Sequence, residues 1–430
     1  MKTETAYDWK VIEAVREGSV SEEGINILLE EYLQRFTQII RHKSQRRYFG
    51  AYIKGLMSGS DRKSVEPVAL AQLGEKAVRP MQELLKRSTI NEEGLHAVHV
   101  EGVVGLAGGG GGMLSVDGSD FVKKGKHSAG VKRQYCGNLG KTGNCQAGVF
   151  VAYADDNGYG LVDKALYIPA EWFDEEHKEM RQKCQIPDSQ EFQTKNRMAQ
   201  AMLNKALKAG FNPEWIGMDA AFGCDHKLLD GLELPEGVNY FAATNAKERV
   251  YLEQPVVEPP SKNSRGRPRK HPFVHGEPIC VRDVAQDDSF PWETVTLSEG
   301  SKGPIVADVK RIRCTACRAS GGNRTHTIPG ADIWLYIRRH EDGELKYYVS
   351  NAPEDTPTSE LDRAATLRWP IEQCFQECKG FPGMAHYECR TLTGWNRHML
   401  FVMIAQLFLR LLQLELKKTA LLQPLPWQHH

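Results

Sequence analysis

The stretch RWPIEQCFQECKG (368–380) sets one acid between two cations: Arg368, Glu372 and Lys379. Arg368 and Glu372 are four apart, so on a helix they share a face, and Lys379 returns near that face two turns later. Pro370 obliges the helix to kink or to begin there. Two chemistries fit the spacing. One is a solvated ion pair on a helix surface. The other is a metal-ligating carboxylate flanked by cations that hold phosphates. Two more acids stand where apolar stretches give way to turns, Asp219 in EWIGMDAAFG and Asp117 in VDGSDF, with Asp120 as the alternative first acid.

Bringing positions 117, 219 and 372 together requires a scaffold, and hydrophobic periodicity outlines one. Residues 1–105 are rich in helix formers, with helical apolar spacing in INILLEEYLQRFTQII. Lys43, Arg46 and Arg47 then share one helical face, which fits either a DNA-binding helix or a solvated basic face. LAGGGGGM (106–113) has almost no side chains to pack and reads as a flexible joint. MLSVDGSDF reads as a strand with Asp117 at its end, and CQAGVFVAYADDNGYGLVDKALYIP alternates and breaks at Asp156-Asn157-Gly158, a hairpin signal. A helix over 189–210 closes at Gly210, a short buried strand runs out at Asp219, and a helix (DHKLLDGLE) and a strand (VNYFAAT) follow.

Three strands, then helix, strand, helix, strand, is the order of an α/β ribonuclease-H-like fold, in which the first and fourth strands adjoin. That order predicts Asp117 and Asp219 at neighbouring strand ends. Two carboxylates there repel and raise each other's pKa, a conflict that a divalent cation removes, and hard oxygen ligands suit magnesium. Between about 250 and 345 the chain alternates, once around Asp342-Gly343, and reads as a β-rich insertion. Helical character resumes at TPTSELDRAATLRWPIEQCFQECKG, with Thr358 or Ser359 as its cap, and supplies Glu372 as the third carboxylate.

The chain has 430 residues, 41% hydrophobic and 26% charged, enough for two or three domains of ordinary soluble composition. Formal net charge is zero, so no globally basic nucleic-acid binder is announced and local patches carry the signal. Residues 121–154 hold Lys123, Lys124, Lys126, Lys132, Arg133 and Lys141 with no acid; 261–272 hold a second basic run; 309–331 hold a third. The cysteines lack regular spacing, which fits free thiols in a reducing cytoplasm, and Cys314 and Cys317 lack the second pair that a zinc site needs. The start MKTETAYDWK has no apolar run behind it, and the apolar stretch at 399–412 is short for a membrane span and broken by Gln406 and Arg410. These features predict a soluble intracellular protein, with no membrane partner. KKGKHS (123–128) lacks the spacing of a phosphate-binding loop, so no nucleotide cofactor is expected.

Arg368, Glu372 and Lys379 fit the R-x3-E-x6-K part of the Y-x2-R-x3-E-x6-K signature of bacterial insertion-sequence DDE transposases. The words VDGSDFVKKGKHSAGVKRQYCG, NCQAGVFVAY, DAAFG and GMAHYECRTLTGWNRHM resemble the group numbered seven hundred and one among those elements, over about residues 35–412. Ala365 stands where the signature has Tyr. The resemblance implies a DNA endonuclease and strand transferase of the bacterial cytoplasm, associated with the nucleoid. It implies Asp117, Asp219 and Glu372 as catalytic ligands of two magnesium ions, for which manganese can substitute. One ion activates water and the other stabilises the leaving 3′ oxygen. Arg368 and Lys379 then hold phosphates, as do Lys123, Lys124 and Lys126. The implied partner is double-stranded DNA, at the element ends and the target, bound by a homodimer.

RGRPRK within the insertion has the shape of an AT-hook, with Arg265, Arg267, Arg269 and Lys270 around Gly266 and Pro268. It suits a narrow minor groove, or serves as a basic linker touching phosphates without preference. Trp292 is either a base-stacking aromatic, as the resemblance suggests, or a core tryptophan. The expected layout is a helical DNA-binding region (1–105), the first part of the core (106–250), the insertion (251–345), the second part of the core with the Glu372 helix (346–415) and a tail (416–430). Two other functions stay open: a transposase-derived DNA-binding regulator without catalysis, and a metal-dependent nuclease without strand transfer.

Overall fold

The computed structural model describes residues 22–107, 110–259, 271–300, 303–320 and 323–422. Five helices come first: α1 (Glu22–Thr37), α2 (Lys43–Leu56), α3 (Val65–Leu73), α4 (Val78–Lys86) and α5 (Glu92–Ala107). Their apolar faces bury Leu33, Phe36, Phe49, Ile53 and Leu84. The Gly-rich segment after α5 is built rather than loose at 110–112. Gly110 bridges to Asn212, and Gly111 and Gly112 have φ of 69° and 75°. A Cβ on Gly112 would meet the Ala154 carbonyl oxygen at 2.2 Å, so only glycine admits this turn.

The expected strands and crossover helices then appear in order: β1 (Met113–Val122), β2 (Lys132–Cys136), β3 (Lys141–Ala154), β4 (Tyr159–Leu166), α6 (Lys178–Lys183), α7 (Lys195–Lys208), β5 (Trp215–Met218), α8 (Ala220–Gly223), α9 (His226–Asp230) and β6 (Asn239–Thr244). The turn between β3 and β4 forms where expected, with Asp155 Oδ1 accepting from the amides of Asn157 (2.8 Å) and Gly158 (3.1 Å). β1 runs antiparallel to β3 and parallel to β5, which is parallel to β6. This mixed α/β arrangement is compatible with a ribonuclease-H-like fold.

The β-rich segment contributes β7 (Arg249–Tyr251), β8 (Val256–Glu258), β9 (Phe273–His275), β10 (Ile279–Cys280), α10 (Val281–Gln286), β11 (Glu293–Gly300), β12 (Gly303–Ser320), β13 (Asn323–Arg339) and β14 (Leu345–Ser350). Most of these strands extend the core sheet: β14 pairs with β6, β13 with β14, and β12 with β13, giving the order β10-β7-β12-β13-β14-β6-β5-β1-β3-β2. β8 and β9 form a separate two-stranded ribbon on either side of Arg265, Arg267, Arg269 and Lys270, which lie outside the described residues.

The last elements are α11 (Thr358–Leu367), α12 (Trp369–Gly380) and α13 (Leu392–Leu422). Pro357, not Thr358 or Ser359, is the N-cap residue of α11, and no side chain caps it. Side-chain alternation separates two sheet faces. Met113, Trp215, Phe241 and Tyr336 bury one face under Leu361, Ala364 and Ala365 of α11. Ala365, at the signature's Tyr position, is thus a small residue packed on the sheet. Leu114, Val116, Ile216 and Ala242 point to the other face, in a cluster with Ile371, Cys374 and Phe375 of α12 and with Trp395 and Met399 of α13.

α13 joins this core to the N-terminal helices. Tyr32 donates to the Ile404 carbonyl (2.8 Å), Tyr52 contacts His398 Nδ1 (2.9 Å), and Arg397 binds Glu92 (2.7 Å) and the Leu84 carbonyl (2.7 Å). The apolar helix is longer than the 399–412 run: Leu392–Leu416 has the length and composition of a membrane span, with a mean hydropathy of 1.8 and 61% of that window buried inside the protein. All ten cysteines are free. Cys314 and Cys317 are buried strand thiols, and burial pushes Cys314 up to about 12.

Candidate active site

The parallel register of β1 and β5 fixes the first two acids. Val116 lies opposite Met218, so Asp117 and Asp219 are the next residues on adjacent strands, at one level. β5 stops there, but β1 continues to Val122, paired with β3. Asp117 is therefore a mid-strand residue rather than the strand's last, exposed on one side because its parallel neighbour has ended. Asp219 N-caps α8 through Oδ1, which accepts from the amides of Ala221 (3.0 Å) and Phe222 (3.2 Å). Asp117 Oδ1 accepts from the Gly118 amide (2.6 Å). One oxygen of each carboxylate is thus held by backbone.

The chain passes from one sheet face to the other at this level. α11 ends at Leu367, Arg368 caps both helices, and Pro370 lies in the first turn of α12, where a missing N–H costs nothing. The helix begins anew at the proline rather than kinking, and Arg368 sits at the joint. Its guanidinium bridges two acids: Nη2 donates to Glu372 Oε1, and Nη1 lies 3.5 Å from Asp117 Oδ2. Glu372 is exposed, with 47% of its side chain accessible against 16% for Asp117.

Electrostatics mark the same place. Burial, then the charge of Asp219, pushes Asp117 up to about 7, although Arg368 and the Gly118 amide pull the other way. Asp219 is raised chiefly by burial, against its cap bonds and Arg368. Burial works against the charge of Arg368, yet Glu372 and Asp117 outweigh it and raise its pKa. Acids shifted by burial and by each other are characteristic of functional sites. Asp120 is elsewhere engaged, its Oδ2 accepting from the Gly137 amide (2.8 Å) in the turn after β2. Asp117 is the one beside Asp219 and Arg368.

Among the described residues no three His, Cys, Asp or Glu side chains are grouped closely enough to hold one metal ion. At this site Arg368 is the positive charge among the carboxylates. The carboxylate oxygens of Asp117, partway along β1, and of Asp219, just after β5, with Glu372 linked to Asp117 through Arg368, are of the hard kind that magnesium or manganese takes. In donor chemistry these residues fit a divalent ion, although they are not drawn together around one point.

The remaining candidates divide. Lys379 reaches Asn138 Oδ1 (3.2 Å), and its pKa is lowered by burial against the pull of Asp120 and Asp117, so it borders the acids. Lys124 and Lys126 are exposed. Lys123 is turned inward: Nζ donates to the Tyr387 carbonyl (3.1 Å) and lies 3.4 Å from the Tyr387 ring centroid. Trp292 is half-buried, with Arg339 and Lys310 4.4 Å and 4.7 Å from its ring centroid. The ring is thus engaged by the protein's own cations, which favours the structural role. Sequence reasoning missed Trp369, 56% exposed and next to Arg368, and Tyr135, 67% exposed on the β2–β3 ribbon between exposed Arg133 and Lys141. Adjacency to Arg368 was the available signal for Trp369. Tyr135 had the interleaving of an aromatic with cations.

Strand order, acid placement and electrostatics define an α/β protein with an acidic centre where β5 ends. Residues 35–304 match the family described as DDE superfamily endonuclease, and the chain belongs to that family, as a transposase-like nuclease. The matched stretch carries Asp117 and Asp219, whereas Arg368, Glu372 and Lys379 lie beyond it. No curated protein matches the chain.

Proposed function

We propose that this protein is a transposase of the bacterial insertion-sequence group numbered seven hundred and one, which nicks element ends and joins the freed 3′-hydroxyls to target DNA. The observation that carries the reading is the pairing of Asp117 and Asp219 at one level on β1 and β5, with the Arg368–Glu372 pair closing over them. Asp117, Asp219 and Glu372 would hold two magnesium or manganese ions, which would supply an activated water and a stabilised leaving oxygen.

The chain's own residues do the rest. Burial where β5 ends limits water around Asp117 and Asp219 and strengthens their hold on cations. Arg368 presents a planar fork to a phosphate, and Lys379 a point charge beside Asn138. Lys124, Lys126, Arg133 and Lys141 track the backbone of double-stranded DNA beside the site, with Tyr135 and Trp369 as surfaces on which displaced bases stack. The N-terminal helices with Lys43 and Arg47, and the arm with Arg265, Arg267, Arg269 and Lys270, add DNA contacts. Coordinated cutting of two ends favours a homodimer on DNA, and such a protein works in the bacterial cytoplasm at the nucleoid.

The test uses purified full-length protein and a plasmid carrying the reading frame with its native flanks. Nicking, excision and joining are scored in magnesium, in EDTA and with Glu372→Gln. Breaks at the element ends that need metal, that join to new DNA and that fall about 10³-fold or more in the variant support the reading. Breaks that never join make the protein a nuclease without strand transfer. Tight binding with intact ends in wild type and variant alike makes it a DNA-binding regulator.

A further inference from the structure

Arg368 is the least settled charged group in the site. It touches Asp117 and Glu372 at once and shares the field of Asp219. Only 22% of its side chain is accessible, and buried Nη1 has no hydrogen-bond partner despite lying 3.5 Å from Asp117 Oδ2. One cation thus serves three acids without satisfying its own donors. A guanidinium has no acceptor and does not lose its proton, so it cannot share a carboxylate oxygen with a divalent cation without like-charge repulsion.

We infer that Arg368 is an internal counter-ion which competes with divalent metal for Asp117 and Glu372 and must leave them when metal binds. The inference rests on the reading of these acids as metal ligands. Two features let the side chain leave. Arg368 is the single residue between α11 and α12 and belongs to the span of neither, although its φ of −72° and ψ of −29° are themselves helical. Trp369 beside it is exposed rather than packed over it. The consequence is a hand-over: one guanidinium neutralises the acids first and becomes available to a DNA phosphate only once metal has replaced it. The cost of breaking the Arg368 contacts lowers the apparent metal affinity of wild-type protein.

The experiment is calorimetric titration of Mn²⁺ into full-length protein without DNA, comparing wild type, Arg368→Gln, Arg368→Lys, Asp117→Asn and Glu372→Gln. Arg368→Gln is expected to bind Mn²⁺ about tenfold more tightly, because the competing charge is gone. In EDTA the same variant melts at a lower temperature than wild type, since its acids repel unrelieved, and Mn²⁺ restores more of its stability. Arg368→Lys keeps the charge but loses the fork, and gains about two- to threefold. Folded Arg368→Gln that binds Mn²⁺ no better than wild type overturns the inference. Should that variant fail to fold, an Arg368→Lys affinity equal to wild type or weaker does so. If Asp117→Asn and Glu372→Gln bind Mn²⁺ as wild type does, the metal-ligand reading itself fails. If they lose binding while neither Arg368 variant gains, only the counter-ion inference falls.

Discussion

Helix α12 carries two glutamates five residues apart, and their surroundings differ in kind. Glu377 faces inward, its side chain 13% exposed, and both oxygens are matched: Oε1 accepts from Tyr159 (2.5 Å) and Gln373 (3.3 Å), Oε2 from Gln406 (3.0 Å), and Arg410 lies 3.7 Å away. Glu372 faces outward, held by an Arg368 that is also drawn to Asp117. The first arrangement ties α12 to β4 and α13 and fixes the helix rotation. The second leaves an excess of acid where β5 ends. A satisfied polar network specifies structure, whereas a strained and under-neutralised one is ready for a ligand. The network under α12 therefore decides where Glu372 points.

Glu377→Ala is expected to produce the largest change in stability. It strands the Tyr159 hydroxyl and the Arg410 charge beneath the helix and lowers stability by about 3 kcal/mol. A denaturant midpoint well below wild type, with cleavage retained at low temperature, is the expected pattern. Glu372→Gln should show the reverse: stability within about 1 kcal/mol of wild type and activity lost. Equal stability losses in the two variants would erase the distinction between the faces of α12.

A smaller effect comes from the acid excess itself. Asp117 is pushed from its usual 3.8 up to about 7 by burial and by Asp219. The folded protein therefore keeps a proton that the unfolded chain has released, and stability falls as pH rises from about 4 to about 7, then levels. Asp117→Asn removes the titration. In EDTA it should equal wild type near pH 4 and be the more stable of the two at pH 8. A variant less stable than wild type at pH 8 would show that the Arg368 contact outweighs burial and Asp219.

Local chemistry made some of this legible in advance. Asp156-Asn157-Gly158 marked its hairpin, and Pro370 marked the start of a helix, because turn and cap residues act within a few positions of themselves. The order of strands carrying Asp117 and Asp219 was readable because alternation with helices leaves few topologies. The rest depended on partners distant in the chain. Period-two alternation around Asp342-Gly343 announces strands but not their neighbour, so the pairing of β14 with β6 that makes the β-rich segment a continuation of the core sheet had no local signal. The glycines at 110–112 looked loose because what requires them, the Ala154 carbonyl, lies on another strand. The inward turn of Lys123 depends on Tyr387, far along the chain.

That lysine gives the finest test of the difference between structural and ligand-facing charge, since Lys123 and Lys124 are adjacent in one basic patch. Burial lowers Lys123 to about 8, only partly offset by Cys389 and Glu388, and its ammonium is spent on the Tyr387 carbonyl and ring. Lys123→Ala should cost about 1 kcal/mol of stability and leave the salt dependence of DNA binding unchanged. Exposed Lys124, removed by Lys124→Ala, should leave stability within about 0.5 kcal/mol and reduce the slope of log affinity against log salt by about 1. Both slopes dropping equally would mean that Lys123 swings out to DNA and abandons Tyr387. A cation's neighbours in space, rather than its neighbours in sequence, set which of the two roles it plays.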